Sequence, residues 1–67
     1  MKLTWQDVED IAAELARHHA DRDPLRLPLS EVKALVTALP TFGDDPAAAT
    51  PPILEAIQAA WYDEAES

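Results

Sequence analysis

The chain has no cysteine, a single glycine, one phenylalanine and only five lysines and arginines among its 67 residues. Without cysteine there is no disulfide framework, no thiolate zinc site and no thiolate-held iron–sulfur cluster. With one glycine there is no glycine-rich loop to cradle a phosphate. With so few cations, duplex nucleic acid is excluded, because binding to its backbone depends on Lys and Arg displacing counterions. Anionic membranes are excluded for the same reason. No apolar run approaches the roughly 20 residues that cross a bilayer, and residues 1–10 lack the basic-then-apolar pattern of a secretory signal. The expectation is a soluble, cytoplasmic, single domain spanning residues 1–67. A chain this short buries only about 60% of its unfolded surface, so its core is small and a sizeable pocket is not expected.

What is abundant is acid. Thirteen Asp and Glu give a formal net charge of −8. The charge is uneven: residues 1–33 hold all five basic residues and a net −2, while residues 34–67 hold no Lys or Arg and a net −6. Such a surface repels copies of itself, predicting a monomer, and attracts cations or a basic protein face. Solubility alone explains the composition equally well.

Helical periodicity dominates. Trp5, Val8, Ala12, Leu15 and His19 recur at three and four residues, with Ile11 alongside, predicting a helix over 5–20. Thr4 stands as its N-cap and Asp7 three positions on completes a capping-box-like pair. Pro24 and Pro28 break the chain between 21 and 28, where Leu25, Leu27 and Leu29 alternate as in a short extended piece. Ser30 reads as the next N-cap, with Val32, Leu35, Val36 and Leu39 the stripe of a second helix ending before Pro40. A loop over 41–50 follows, in which Ala47 to Ala49 make one turn at most. Thr50 caps a third helix with Pro51 at its first position, burying Ile53, Leu54, Ile57 and Trp61 and fraying from Ala65. The fold class is all-α: a small domain of three main helices. Its predicted core is Trp5, Val8, Ile11, Leu15, Leu27, Val32, Leu35, Val36, Leu39, Phe42, Ile53, Leu54, Ile57 and Trp61.

Three groups of side chains could carry chemistry. At 100° per residue Asp7, Asp10, Glu14 and Asp21 form a stripe on the first helix with His18 on its edge. Oxygen-rich clusters attract hard or borderline divalent ions, but spacing alone favours a solvated helix face. His19 lies on the apolar side and reads as a packing residue. Asp44 and Asp45 precede Pro46 in a loop, where an ordinary turn accounts for them as well as a site does. Asp63, Glu64 and Glu66 end the third helix, where negative charge opposes the helix dipole by roughly 0.3–1 kcal/mol per group. A sequence selected for helix stability alone would place Lys or Arg there, so function and solubility weigh evenly. Catalysis lacks support: there is no thiol nucleophile, Ser30 and Ser67 have no evident base, and paired carboxylates need burial to separate their pKa values.

Three stretches together resemble a known family. The opening "LTWQDVEDIAAEL", the central "FGDDPAAA" and the closing "ILEAIQAAWYDEAES" are similar in order and spacing to the IscX family (also called YfhJ), small acidic proteins associated with bacterial iron–sulfur cluster assembly. The likeness covers essentially the whole chain. Trp5, Asp7, Asp44, Asp45, Trp61, Asp63 and Glu64 match the family's pattern, while Gly43 stands where the family commonly has another acid. The resemblance implies a mostly helical fold like a modified winged helix and a cysteine desulfurase as partner. It also implies weak ferrous iron (Fe2+) binding through surface carboxylates and an adaptor or regulatory role rather than an enzymatic one. On that basis the iron candidates are Asp7, Asp10 and Glu14, then Asp44 and Asp45. The partner-binding candidates are Asp63, Glu64 and Glu66, with Trp61 as packing support. A metal-independent acidic module that docks on another basic protein is the competing reading.

Overall fold

A computed structural model describes residues 2–66. Its elements in chain order are α1 (Val8–His18), a 3-10 turn (Pro24–Arg26), α2 (Leu29–Thr37), a second 3-10 turn (Pro46–Ala48) and α3 (Pro51–Glu66). The all-α expectation stands. Among the described residues, β structure is limited to one isolated parallel bridge between Leu3 and Phe42. The winged-helix detail implied by the resemblance therefore has no sheet to rest on there.

The first helix is shorter than the 5–20 its periodicity predicts. Thr4 to Asp7 form a separate turn, with the Asp7 N–H donating to the Thr4 carbonyl at 3.0 Å. The Asp7 carboxylate accepts the Thr4 N–H at 2.9 Å and its hydroxyl at 3.2 Å. That is the reciprocal half of the anticipated capping box, but it closes the turn before the helix. Asp7 itself is the N-cap of α1 and offers no side-chain bond forward. Trp5, between Thr4 and Asp7, is tied to the distant loop, its amide donating to the Asp44 carboxylate and its indole N–H to the Asp45 carbonyl. Glu9 and Asp10 in the first turn and Arg17 and His18 in the last suit the helix dipole. At the far end His19 leaves the helical region, with its ring centroid 6.4 Å from that of Trp61. It is a half-buried packing residue, as its position on the apolar side predicts.

The segment between α1 and α2 corrects a second expectation. Alternating leucines suggest an extended piece, yet Pro24–Arg26 is a 3-10 turn and Leu25 is 57% exposed. Asp23 decides this, because its carboxylate accepts the Leu25 N–H at 3.1 Å and Pro24 fixes the first φ of the turn. α2 begins two residues early, with Pro28 rather than Ser30 as its N-cap. The Pro28 carbonyl accepts the amides of Glu31 and Val32 at 3.0 and 3.1 Å. Asp45 and Pro46 repeat the Asp–Pro device: the Asp45 carboxylate accepts the Ala47 N–H at 2.9 Å and one 3-10 turn follows. α3 starts as predicted at Pro51 and continues helical through Ala65 and Glu66, where fraying was predicted. Both residues line a cleft against Ala20–Pro24.

α3 is the long element on which α1, the first 3-10 turn and α2 pack. Of the predicted core, Trp5, Ile11, Leu15, Val32, Val36, Leu39, Phe42, Leu54, Ile57 and Trp61 are buried. Val8, Leu27, Leu35 and Ile53 pack against them from half-buried positions, and Ala12 joins the buried set. Trp5 meets Phe42 edge to face with centroids 4.6 Å apart, a geometry that aligns ring edge with ring face. Each large side chain fully buried stabilises the fold by about 1.5–3 kcal/mol. Gln58 secures the join between α3 and the 3-10 turn, its amide donating to the carbonyls of Pro24 and, at 2.9 Å, Leu27.

Candidate functional site

The carboxylates divide by what each one holds. Asp7 is engaged with Thr4 as described above. Asp44 accepts the Trp5 N–H at 3.2 Å through one oxygen and the Asp45 N–H at 2.7 Å through the other. The Asp45 carbonyl accepts the Trp5 indole N–H at 2.7 Å. With the Leu3 amide donating to Thr41 at 2.7 Å and the Gly43 amide to Leu3 at 2.9 Å, these bonds strap the N-terminal residues across the 41–45 loop. Three of the five iron candidates thus serve as acceptors for backbone amides.

Asp10 and Glu14 are brought together. Both line an open cleft of about 510 Å³ with Leu3, Ala13, Arg17 and Thr41. Glu14, whose side chain is only 17% exposed, pairs with Arg17 at 3.0 Å and accepts the Thr41 hydroxyl at 3.3 Å. His18 approaches Glu14 to 3.9 Å. Asp21, fourth in the predicted stripe, lines a different cleft. Among the described residues no group of three or more His, Cys, Asp or Glu side chains could hold a metal ion. The arrangement offers a cation at most the paired carboxylates of Asp10 and Glu14, with a guanidinium beside them.

The cations are accounted for differently. Each of the three arginines meets an acid: Arg17 with Glu14, Arg22 with Glu31 at 3.1 Å and Arg26 with Asp23 at 3.3 Å. Lys2 donates to the Pro40 carbonyl at 2.9 Å. Exposed pairs of this kind contribute roughly 0.2–1 kcal/mol each, but they remove positive charge from the surface. Glu9, Asp10, Asp21, Glu55, Asp63 and Glu66 have no hydrogen-bonding or ionic partner among the described residues.

Among the described residues, Glu55, Asp63 and Glu66 are the unmatched acids of the second half, and all three lie on α3. Asp63, Glu64 and Glu66 are exposed, and the last turn of the helix contains no basic residue. Helical spacing sets Glu55, Ala59, Tyr62 and Glu66 on one ridge, all four exposed. Asp63 lies beside that ridge, opposite the buried face of Leu54, Ile57 and Trp61. Glu66 further meets Asp21 across an open cleft of about 480 Å³, lined also by Ala20, Arg22, Asp23, Pro24, Tyr62 and Ala65. Residue spacing does not reveal this meeting, since Asp21 sits in the α1–α2 connection and Glu66 at the end of α3.

Sequence reasoning passed over Gln58 and Tyr62. Both carried a signal: Gln58 interrupts the apolar stripe between Leu54 and Trp61, and Tyr62 follows Trp61 on the outer face. No helix of the described residues is long and apolar enough to cross a membrane.

Comparison with known proteins agrees with the resemblance. A family model described as iron–sulphur cluster assembly matches residues 3–66. An uncharacterised protein of Pseudomonas aeruginosa is 41% identical over 64 residues, which cover 96% of this chain and 97% of that protein.

Proposed function

This chain belongs to the iron–sulphur cluster assembly family, IscX, and from that premise we propose that it acts as an acidic adaptor docking on a basic face of a cysteine desulfurase. A general role in iron–sulfur cluster assembly comes with the family, which is an accessory family and not a known catalytic one. The observation that supports the adaptor reading is the placement of charge on α3. Asp63, Glu64 and Glu66 stand at the C-terminal end of α3, where they oppose the helix dipole and no basic residue shares the last turn. Residues that oppose local stability mark a surface kept for another purpose. Complementary charge raises association rates, up to around 10⁸–10⁹ M⁻¹s⁻¹ at low salt. The protein works in this reading as a soluble cytoplasmic monomer without catalysis of its own.

Ferrous iron enters this reading as a weakly held cation that tunes docking. Asp10 and Glu14 line one cleft and are the first candidates for it, while Asp7, Asp44 and Asp45 would share a cation with the backbone amides they already accept. A metal-independent adaptor is the second reading, favoured by the lack of any convergent group of three ligands.

Two measurements test these readings. Asp63→Lys with Glu64→Lys should weaken desulfurase binding at low salt while helicity is retained. Unchanged affinity in that variant and in charge-reversed α1 acids refutes electrostatic docking. Anaerobic titration with ferrous iron should shift the amides of Asp10 and Glu14 first, and a flat response decides for the metal-independent reading.

A further inference from the structure

The cleft between the C-terminal turn of α3 and the α1–α2 connection combines features that the acidity of the chain does not explain. Leu25 and Tyr62 are the large hydrophobic side chains left exposed among the described residues, at 57% and 38%. Singly, such exposure needs no explanation. Here Tyr62 lines the cleft and Leu25 directly follows Pro24, which lines it too. Beside Tyr62 the lining combines small apolar residues, Ala20, Pro24 and Ala65, with the charged Asp21, Arg22, Asp23 and Glu66. Arg22 is turned to Glu31 at 3.1 Å, and Asp23 is occupied by the Leu25 amide at 3.1 Å and by Arg26 at 3.3 Å. What remains unmatched is Asp21 from the α1–α2 connection and Glu66 from α3, and Tyr62 lines the same cleft.

We infer that this cleft is the seat for an arginine side chain presented by a protein partner. The inference rests on the docking reading above and deepens it, naming one recognition element within a broad acidic surface. A guanidinium is planar, stacks on an aromatic face and donates to carboxylates in a fixed fork, three properties that Tyr62, Asp21 and Glu66 complement. Lysine shares only the charge. A second copy of this chain is disfavoured as occupant because its arginines are already paired and its surface carries like charge. Tyrosine and arginine are also among the residue types that dominate interface hot spots.

The test uses the full chain labelled with nitrogen-15 and a tetra-arginine peptide as probe, at physiological salt. The amides of Ala20 to Asp23, Tyr62, Ala65 and Glu66 should shift together along one saturation curve. Tyr62→Ala should weaken that curve at least about tenfold, the scale of an aromatic hot spot. Tyr62→Phe should keep it, and Glu9→Gln, distant in sequence on α1, should leave it unchanged. Both Tyr62 variants must melt like the parent, as substitution at an exposed position predicts. Shifts spread evenly over all acids, equal binding of tetra-lysine, or indifference to Tyr62→Ala overturn the inference. The same variants measured against a cysteine desulfurase separate the two claims. Desulfurase binding that survives Tyr62→Ala refutes the seat and leaves the docking reading intact. A peptide that saturates the cleft while no desulfurase binds supports the seat and refutes that reading.

Discussion

Adding one methyl group at Gly43 should destabilise the protein through Lys2, a residue 41 positions away in the chain. A β carbon built on Gly43 would lie 2.7 Å from Lys2 Cγ and 3.2 Å from its Cδ, and closer still to Lys2 Cβ. The nearest of these atoms belong to the root of the side chain, so rotating the lysine tip gives no relief. Gly43 does not have a positive φ; alanine is allowed there by its backbone, and the glycine is required by the close approach of the strap. Overpacking costs about 1–3 kcal/mol, offset by about 0.4–1 kcal/mol from the reduced freedom of the unfolded chain. The alternative is release of the strap, which forfeits the Leu3–Thr41 and Gly43–Leu3 bonds of 2.7 and 2.9 Å, at about 0.5–1.5 kcal/mol each. Either route predicts a net loss of about 1–2 kcal/mol, and each 1 kcal/mol lowers Tm by about 4–8 °C in a domain of this size. Circular-dichroism melts and urea titrations of Gly43→Ala in two backgrounds give the answer. In Lys2→Gly the obstructing atoms are gone, and the added methyl should be neutral or mildly stabilising. Equal loss in both backgrounds, or no loss in either, refutes the steric account.

Gln58→Ala should cost about 1–3 kcal/mol, because two carbonyl partners, Pro24 and Leu27, lose their donor; a denaturant midpoint unchanged within error would show that water replaces the amide without loss. Asp63→Lys should move stability the other way, raising it by about 0.3–1 kcal/mol through the dipole of α3, while desulfurase affinity falls. A variant that loses stability and affinity together would mean that Asp63 is structural.

The three helices were legible because their signals are local. The Leu54, Ile57, Trp61 spacing and the Thr50–Pro51 start need only neighbours within one turn, and each resulting face is buried. The misreadings were local competitions. Leucine alternation at Leu25, Leu27 and Leu29 lost to the Asp23–Pro24 turn, and the Asp45–Pro46 repeat of that dipeptide was the signal that could have exposed it. Thr4 and Asp7 did bond as a capping pair, but around a turn that closes before α1 begins.

The sequence by itself determined the helix count, the buried stripes and a surplus of negative charge with every cation in the first half. Only the tertiary structure decided which carboxylates are available. Trp5 and Asp44 are 39 residues apart, Trp5 and Asp45 are 40, and Gln58 and Pro24 are 34. A helix forms from hydrogen bonds four residues long, so its pattern is written along the chain. A carboxylate's partner depends on where the chain returns after two reversals, and nothing in residue spacing specifies that distance.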